Sequence, residues 1–156
     1  MARSILLAFL VLAVIQMVWA QTLKGTYIVN VAAKGVLKGY PGMQPSVKPK
    51  DLSGPYRTWF ITMVGDSKVT LSLAPEQEFL TFVGEELVVA DVPHKFLLYA
   101  EKGLIIIKSS VGKDLYLTWD KKTERVTLKP FTDKPEQWWQ LRNPKSTGYN
   151  QLNIQD

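Results

Sequence analysis

Pro135-Glu136-Gln137-Trp138-Trp139-Gln140-Leu141 is the stretch on which the reading of the fold turns. Two earlier stretches echo it, Pro55-Tyr56-Arg57-Thr58-Trp59-Phe60-Ile61 and Pro93-His94-Lys95-Phe96-Leu97-Leu98. Each runs from a proline through a few polar or mixed residues to a large aromatic, with an aliphatic two positions further on. Strand side chains alternate between faces, so Trp59 with Ile61, Phe96 with Leu98 and Trp139 with Leu141 each form an apolar pair on one face. The aromatics stand 37 and 43 residues apart, a self-similar period of about 40.

The segments between them repeat as well. From Thr26 to Val31 the pattern has period two, with Tyr27, Val29 and Val31 on one face, and the strand stops near Lys34-Gly35. A short strand at Val36-Leu37 and an irregular one around Val47 to Pro49 follow, then the turn Leu52-Ser53-Gly54-Pro55. The second pass places strands at Val69–Leu73, Phe79–Val83 and Leu87–Ala90 before Phe96. The third places them at Leu104–Ile107, Leu115–Leu117 and Val126–Leu128 before Trp139, with Trp119 to Glu124 as a hairpin loop. Nothing after Gln21 has convincing helical periodicity. Four short strands per pass give twelve, and units this small must share one core. The expected fold is an all-β β-trefoil: three four-stranded repeats forming a six-stranded barrel with a hairpin cap.

Of the 156 residues, the first twenty read as a cleavable leader: a basic start at Arg3, an apolar run from Ile5 to Ile15, and Val18-Trp19-Ala20 before the cut. The expected organisation is a signal peptide at 1–20, a trefoil domain at 21–143 and a polar tail at 144–156. This implies a secreted monomer with no membrane association once the leader is removed. The chain has no cysteine, so packing alone must hold the domain, and thiol catalysis and thiolate metal sites are excluded. The net charge of +5 comes from scattered residues, with Lys121-Lys122 the adjacent basic pair, which argues against nucleic acid as a partner.

No spacing suggests an enzyme. His94 is the single histidine and has no nucleophile and carboxylate at triad spacing. Glu76/Glu78 and Glu85/Glu86 are acids beside strands, with nothing to fix a glycosidase separation. No metal cluster, nucleotide fingerprint or other cofactor signature is present.

Binding through loops on a stiff barrel is the remaining reading. Lys38-Gly39-Tyr40-Pro41, the start of the proline-rich loop that runs to Pro45, offers a basic residue and an aromatic on rigid backbone. Such a loop loses little entropy on docking into a cleft, and Lys38 would suit the acidic pocket of a serine endopeptidase. The alternative is a sugar site in the third repeat, with Trp119 stacking on a ring, Asp120 accepting hydroxyl hydrogen bonds and Trp138 facing outward beside Trp139.

The chain resembles the fungal β-trefoil peptidase inhibitors of the mycospin and mycocypin group over about residues 24 to 143. The resemblance lies in Gly25-Thr26-Tyr27-Ile28-Val29-Asn30-Val31, in Val47-Lys48-Pro49, in Pro55, Trp59 and Ile61, and in the closing Trp139. It implies a trefoil that inhibits serine or cysteine peptidases through a loop between strands. Ricin-B-type lectins are the rival resemblance, through a Gln-x-Trp in each repeat. Gln137-x-Trp139 matches that motif, whereas Arg57 and His94 stand where the other glutamines would be, so a glycan is the alternative partner.

Overall fold

The computed structural model describes residues 25–65, 67–74 and 77–144. The expected signal peptide at 1–20 and most of the expected polar tail lie outside them. Among the described residues there are ten strands: β1 (Tyr27–Asn30), β2 (Phe60–Met63), β3 (Lys68–Ala74), β4 (Gln77–Val83), β5 (Glu86–Ala90), β6 (Phe96–Glu101), β7 (Leu104–Ser109), β8 (Tyr116–Trp119), β9 (Val126–Lys129) and β10 (Trp139–Arg142). A 3-10 turn at Pro135–Gln137 precedes β10.

Six of these strands close a barrel. Antiparallel pairs run β1–β10, β10–β7, β7–β6, β6–β3 and β3–β2. The ring shuts where Thr26 and Trp59 exchange both backbone hydrogen bonds at 2.8 Å. Closure leaves the barrel without an open edge. The three aromatics of the repeat occupy matching places in it. Trp59 pairs with Thr26, Phe96 with Val69 and Trp139 with Ile105, each the first strand of the same repeat. The end of each repeat then pairs with the first strand of the next. The fold is a β-trefoil, as the period implies.

Two repeats carry their capping hairpin as regular strands, β4–β5 and β8–β9. In the first repeat the hairpin is reduced to isolated bridges, Val29 with Val36 and Lys38 with Ser46. Glycine and proline from Gly39 to Pro45 prevent a continuous ladder there. Gly35 is fixed by close approach: a Cβ on it would lie 2.0 Å from the carbonyl oxygen of Lys48.

The core is built in threes. Ile28, Leu71 and Ile107 come from the first strands, Leu37, Leu80 and Leu117 from the second, and Trp59, Phe96 and Trp139 from the fourth; all are fully buried. Each aromatic removes about 150–250 Å² from water, roughly 4–6 kcal/mol of transfer free energy as an upper bound. One expectation reverses here. In β1 it is Ile28, paired with Leu141, that enters the central core, while Tyr27 is half-buried and lies under the Arg57 guanidinium, 4.7 Å from its ring centre.

Candidate ligand-binding surface

The residues two places before the aromatics share a structural duty. Gln137 is fully buried and saturated: its Nε2 donates to Thr118 Oγ1 and to the Pro130 carbonyl, both at 2.9 Å, and its Oε1 accepts from the Thr132 N–H at 2.7 Å and its hydroxyl at 3.1 Å. Arg57 donates to the Leu52 carbonyl. His94 bonds Ser109 Oγ at 2.9 Å and packs against the rings of Phe82 and Phe96. These side chains brace the loops around them, and Gln137 has no hydrogen-bonding capacity left for a ligand.

The loop from Lys38 is cap structure. The Gly39 N–H donates to the Tyr56 carbonyl at 3.0 Å, and the Gly42 N–H to the Val89 carbonyl at 2.7 Å. Gln44 Nε2 donates to the Val126 carbonyl at 3.1 Å, so the loop is sewn to the hairpins of both other repeats. Lys38 does not project. Its side chain is 10% exposed, and its ammonium lies 2.6 Å from Asp51 Oδ2. Gly39 is buried beneath the Trp59 ring. Tyr40 is half-buried, and Pro41 is exposed. A specificity pocket could not take Lys38 without breaking that ion pair.

The third-repeat alternative fares no better. Trp119 belongs to β8, not to the hairpin loop; it is 5% exposed, and its indole N–H donates to the Val47 carbonyl at 3.0 Å. Its ring face is core and unavailable for stacking. Asp120 orders the turn instead, accepting from the N–H groups of Lys122 at 2.8 Å and Thr123 at 3.4 Å, which hold its carboxyl below the usual range. Trp138 is half-buried and donates to Asp133 Oδ1 at 3.1 Å. Burial of Trp119 separates the roles that the sequence assigned to these residues jointly.

The structure does assemble another set on the first repeat. The rings of Tyr40 and Tyr56 pack with centroids 5.0 Å apart at 57°, and Tyr56 is 47% exposed. The backbone leading into Tyr56 passes over Lys38, whose ammonium lies 3.2 Å from where a Cβ on Gly54 would be. Asp51 joins the same surface. Its Oδ1 accepts from the Ser53 N–H at 2.9 Å and hydroxyl at 2.8 Å, while Oδ2 holds Lys38. The Lys38 hydrogen bond, then those from Ser53, keep the Asp51 carboxyl well below its ordinary value. Tyr56 stood in plain view beside the repeat proline. Asp51 had no signal beyond lying in a turn, because its partner is thirteen residues away.

No family model and no curated protein sequence matches the chain. Solved structures do match. A designed threefold-symmetric protein, ThreeFoil, superposes with a TM-score of 0.67 at 13% identity, covering 76% of this chain and 99% of its own. The Macrolepiota procera ricin B-like lectin, solved in complex with lactose, gives 0.62 at 20% identity over 76% of this chain and 95% of the lectin. SeviL, solved bound to the asialo-GM1 saccharide, gives 0.64 at 18% identity over 78% of this chain and 98% of its own. These likenesses establish the trefoil. The expectation of a serine-peptidase inhibitor is corrected: the neighbours include a ricin B-like lectin and a protein solved with a saccharide, and the basic residue on which inhibition rested is buried in an ion pair.

Proposed function

We propose that this chain is a glycan-binding module that takes sugar on the first-repeat surface formed by Tyr40, Tyr56 and the Lys38–Asp51 pair. The observation that carries the reading is the packing of exposed Tyr56 on half-buried Tyr40, close in chain to the residues of an ordered ion pair. A pyranose presents apolar C–H faces and a rim of hydroxyls. An aromatic platform covers the first, and fixed charged donors and acceptors orient the second. A carboxylate offers about four lone-pair sites, and Asp51 uses three of them within the protein, which leaves acceptor capacity for a hydroxyl. The neighbouring ricin B-like lectin solved with lactose and SeviL solved with asialo-GM1 saccharide support the class of ligand.

The test is retention of the mature protein on immobilised neutral oligosaccharides, compared with Tyr56→Ala. About half of Tyr56 is exposed and it lies outside the core, so its truncation should shift the unfolding midpoint little while retention falls at least roughly tenfold. Equal retention of the two proteins would move the sugar elsewhere on the trefoil, and no retention on any glycan would end the reading.

A further inference from the structure

A second surface lies where the first and third repeats meet on the barrel wall. There a cleft of about 450 Å³ is lined by β1, the turn after it, the Lys50–Leu52 segment and the outward residues of β10. Three of its lining residues are Lys34, Lys50 and Arg142, and none is acidic. Among the described residues the ion pairs are Lys38–Asp51, Lys108–Asp114 and Lys129–Asp120, so these three cations have no carboxylate partner.

The cations sit on backbone that is fixed before any ligand arrives. Asn30 is fully buried, and its Oδ1 accepts from the N–H groups of Ala32 and Ala33 at 3.1 and 3.0 Å. Its Nδ2 donates to the Glu136 carbonyl at 3.0 Å, tying this turn to the third repeat. The Lys34 N–H donates to the Asn30 carbonyl at 2.8 Å, and the Lys50 N–H to the Ala33 carbonyl at 2.9 Å. Close passage of Lys48 over Gly35 brings the backbone that carries Lys50 against the turn that carries Lys34. Also lining the cleft, the Gln140 amide oxygen accepts from Arg142 Nε at 2.9 Å. This orients the guanidinium and leaves its terminal N–H groups available. Like charges gathered without a counter-charge repel one another, and an oxyanion between them relieves the repulsion and gains charge-assisted hydrogen bonds.

We propose that this cleft is an oxyanion site that takes the carboxylate or sulfate of an acidic saccharide. The saccharide in that statement rests on the glycan-binding reading above; the anion selectivity rests on the cleft alone. Glycan recognition would then have two parts, a neutral one at the tyrosine pair and a charged one here.

The experiment titrates the protein with sodium sulfate, glucuronate, a sulfated oligosaccharide and its desulfated form, following backbone amide shifts. Two variants with equal loss of charge are compared: Lys34→Gln/Lys50→Gln in the cleft, and Lys121→Gln/Lys122→Gln on the distant third-repeat turn. The expected result is shifts at Lys34, Lys50 and Gln140, with sulfated-saccharide affinity at least roughly tenfold weaker in the cleft variant alone. Tyr56→Ala should keep this binding. Equal loss in both double variants would overturn the proposal in favour of diffuse attraction, as would shifts confined to other surfaces. Binding of the desulfated form alone would overturn it while leaving the neutral-sugar reading intact. Sulfate binding in the cleft without any saccharide binding would uphold the anion site, while overturning its saccharide ligand and the neutral-sugar reading.

Discussion

Trp139 donates its indole N–H to the carbonyl of Leu117, 22 residues earlier, at 3.1 Å. Trp59 makes the same bond to Leu37 over the same separation, at 2.9 Å. Both pairs join the fourth strand of a repeat to its second, so the aromatic fixes the hairpin cap onto the barrel. Phe96 fills the matching place in the middle repeat without a donor. A phenyl ring is therefore acceptable in that space. Trp139→Phe should cost about 1–2 kcal/mol for the lost hydrogen bond and slight underpacking. Trp139→Ala should cost about 3–5 kcal/mol, because it opens a cavity in a layer shared by all three repeats. Urea unfolding of both variants, with unchanged slopes, checks the difference.

The Lys38–Asp51 pair makes stability depend on acid. Folding lowers the Asp51 carboxyl below its ordinary value of 3.8, chiefly through the Lys38 hydrogen bond. Such a group contributes fully above its unfolded pKa, and the contribution is lost as pH falls through the window down to the folded value. Asp51→Asn should therefore be less stable than the parent at about pH 6, and the gap should narrow steadily below about pH 4. Thermal midpoints of the two proteins across that range give the answer; a constant gap would mean that the pair contributes nothing through ionisation.

His94 acts in the same direction at higher pH. Burial against Phe82 and Phe96 lowers its pKa from 6.5, so folding favours the neutral imidazole. The unfolded chain takes up a proton first as pH falls below about 6.5, and stability declines from there toward the folded value. His94→Gln keeps a side chain able to bond Ser109 and removes the titration. Its unfolding midpoint should be flat between about pH 7 and about pH 5 where the parent's falls.

The trefoil was legible because its signal is carried by core residues at repeating places. Trp59, Phe96 and Trp139 sit at matching pairings, and the buried trios are spaced by the same period. The face of β1 was not legible, since Tyr27, Ile28 and Val29 are all apolar and alternation cannot rank them; packing under Arg57 decides it. Neither proposed site survived as read. Lys38 looked available because a lysine in a glycine–proline loop is ordinarily solvated, and only the fold brings Asp51 to it. Trp119 looked like a loop residue because Asp120 follows it, whereas β8 runs two residues further than its apolar pattern indicated. The basic cleft draws on residues more than ninety positions apart, a separation that local pattern cannot register.

Gly39 provides the sharpest test of whether the first-repeat loop is cap or free arm. A Cβ there would fall 2.7 Å from the Trp59 ring and 2.8 Å from Val89 Cγ2, both within the packed core. Neither neighbour can swing aside, because the Trp59 indole is held by the Leu37 carbonyl and Val89 pairs with Leu80 in the second-repeat hairpin. Gly39→Ala should destabilise the domain by about 1–3 kcal/mol through overpacking. Gly42, three residues on, has open space around its Cβ position and differs only in its backbone angle of +76°. Gly42→Ala should cost about 1 kcal/mol or less, from left-handed strain alone. If the loop were detached from the barrel the two substitutions would cost the same, and a denaturant titration of the pair decides between those outcomes.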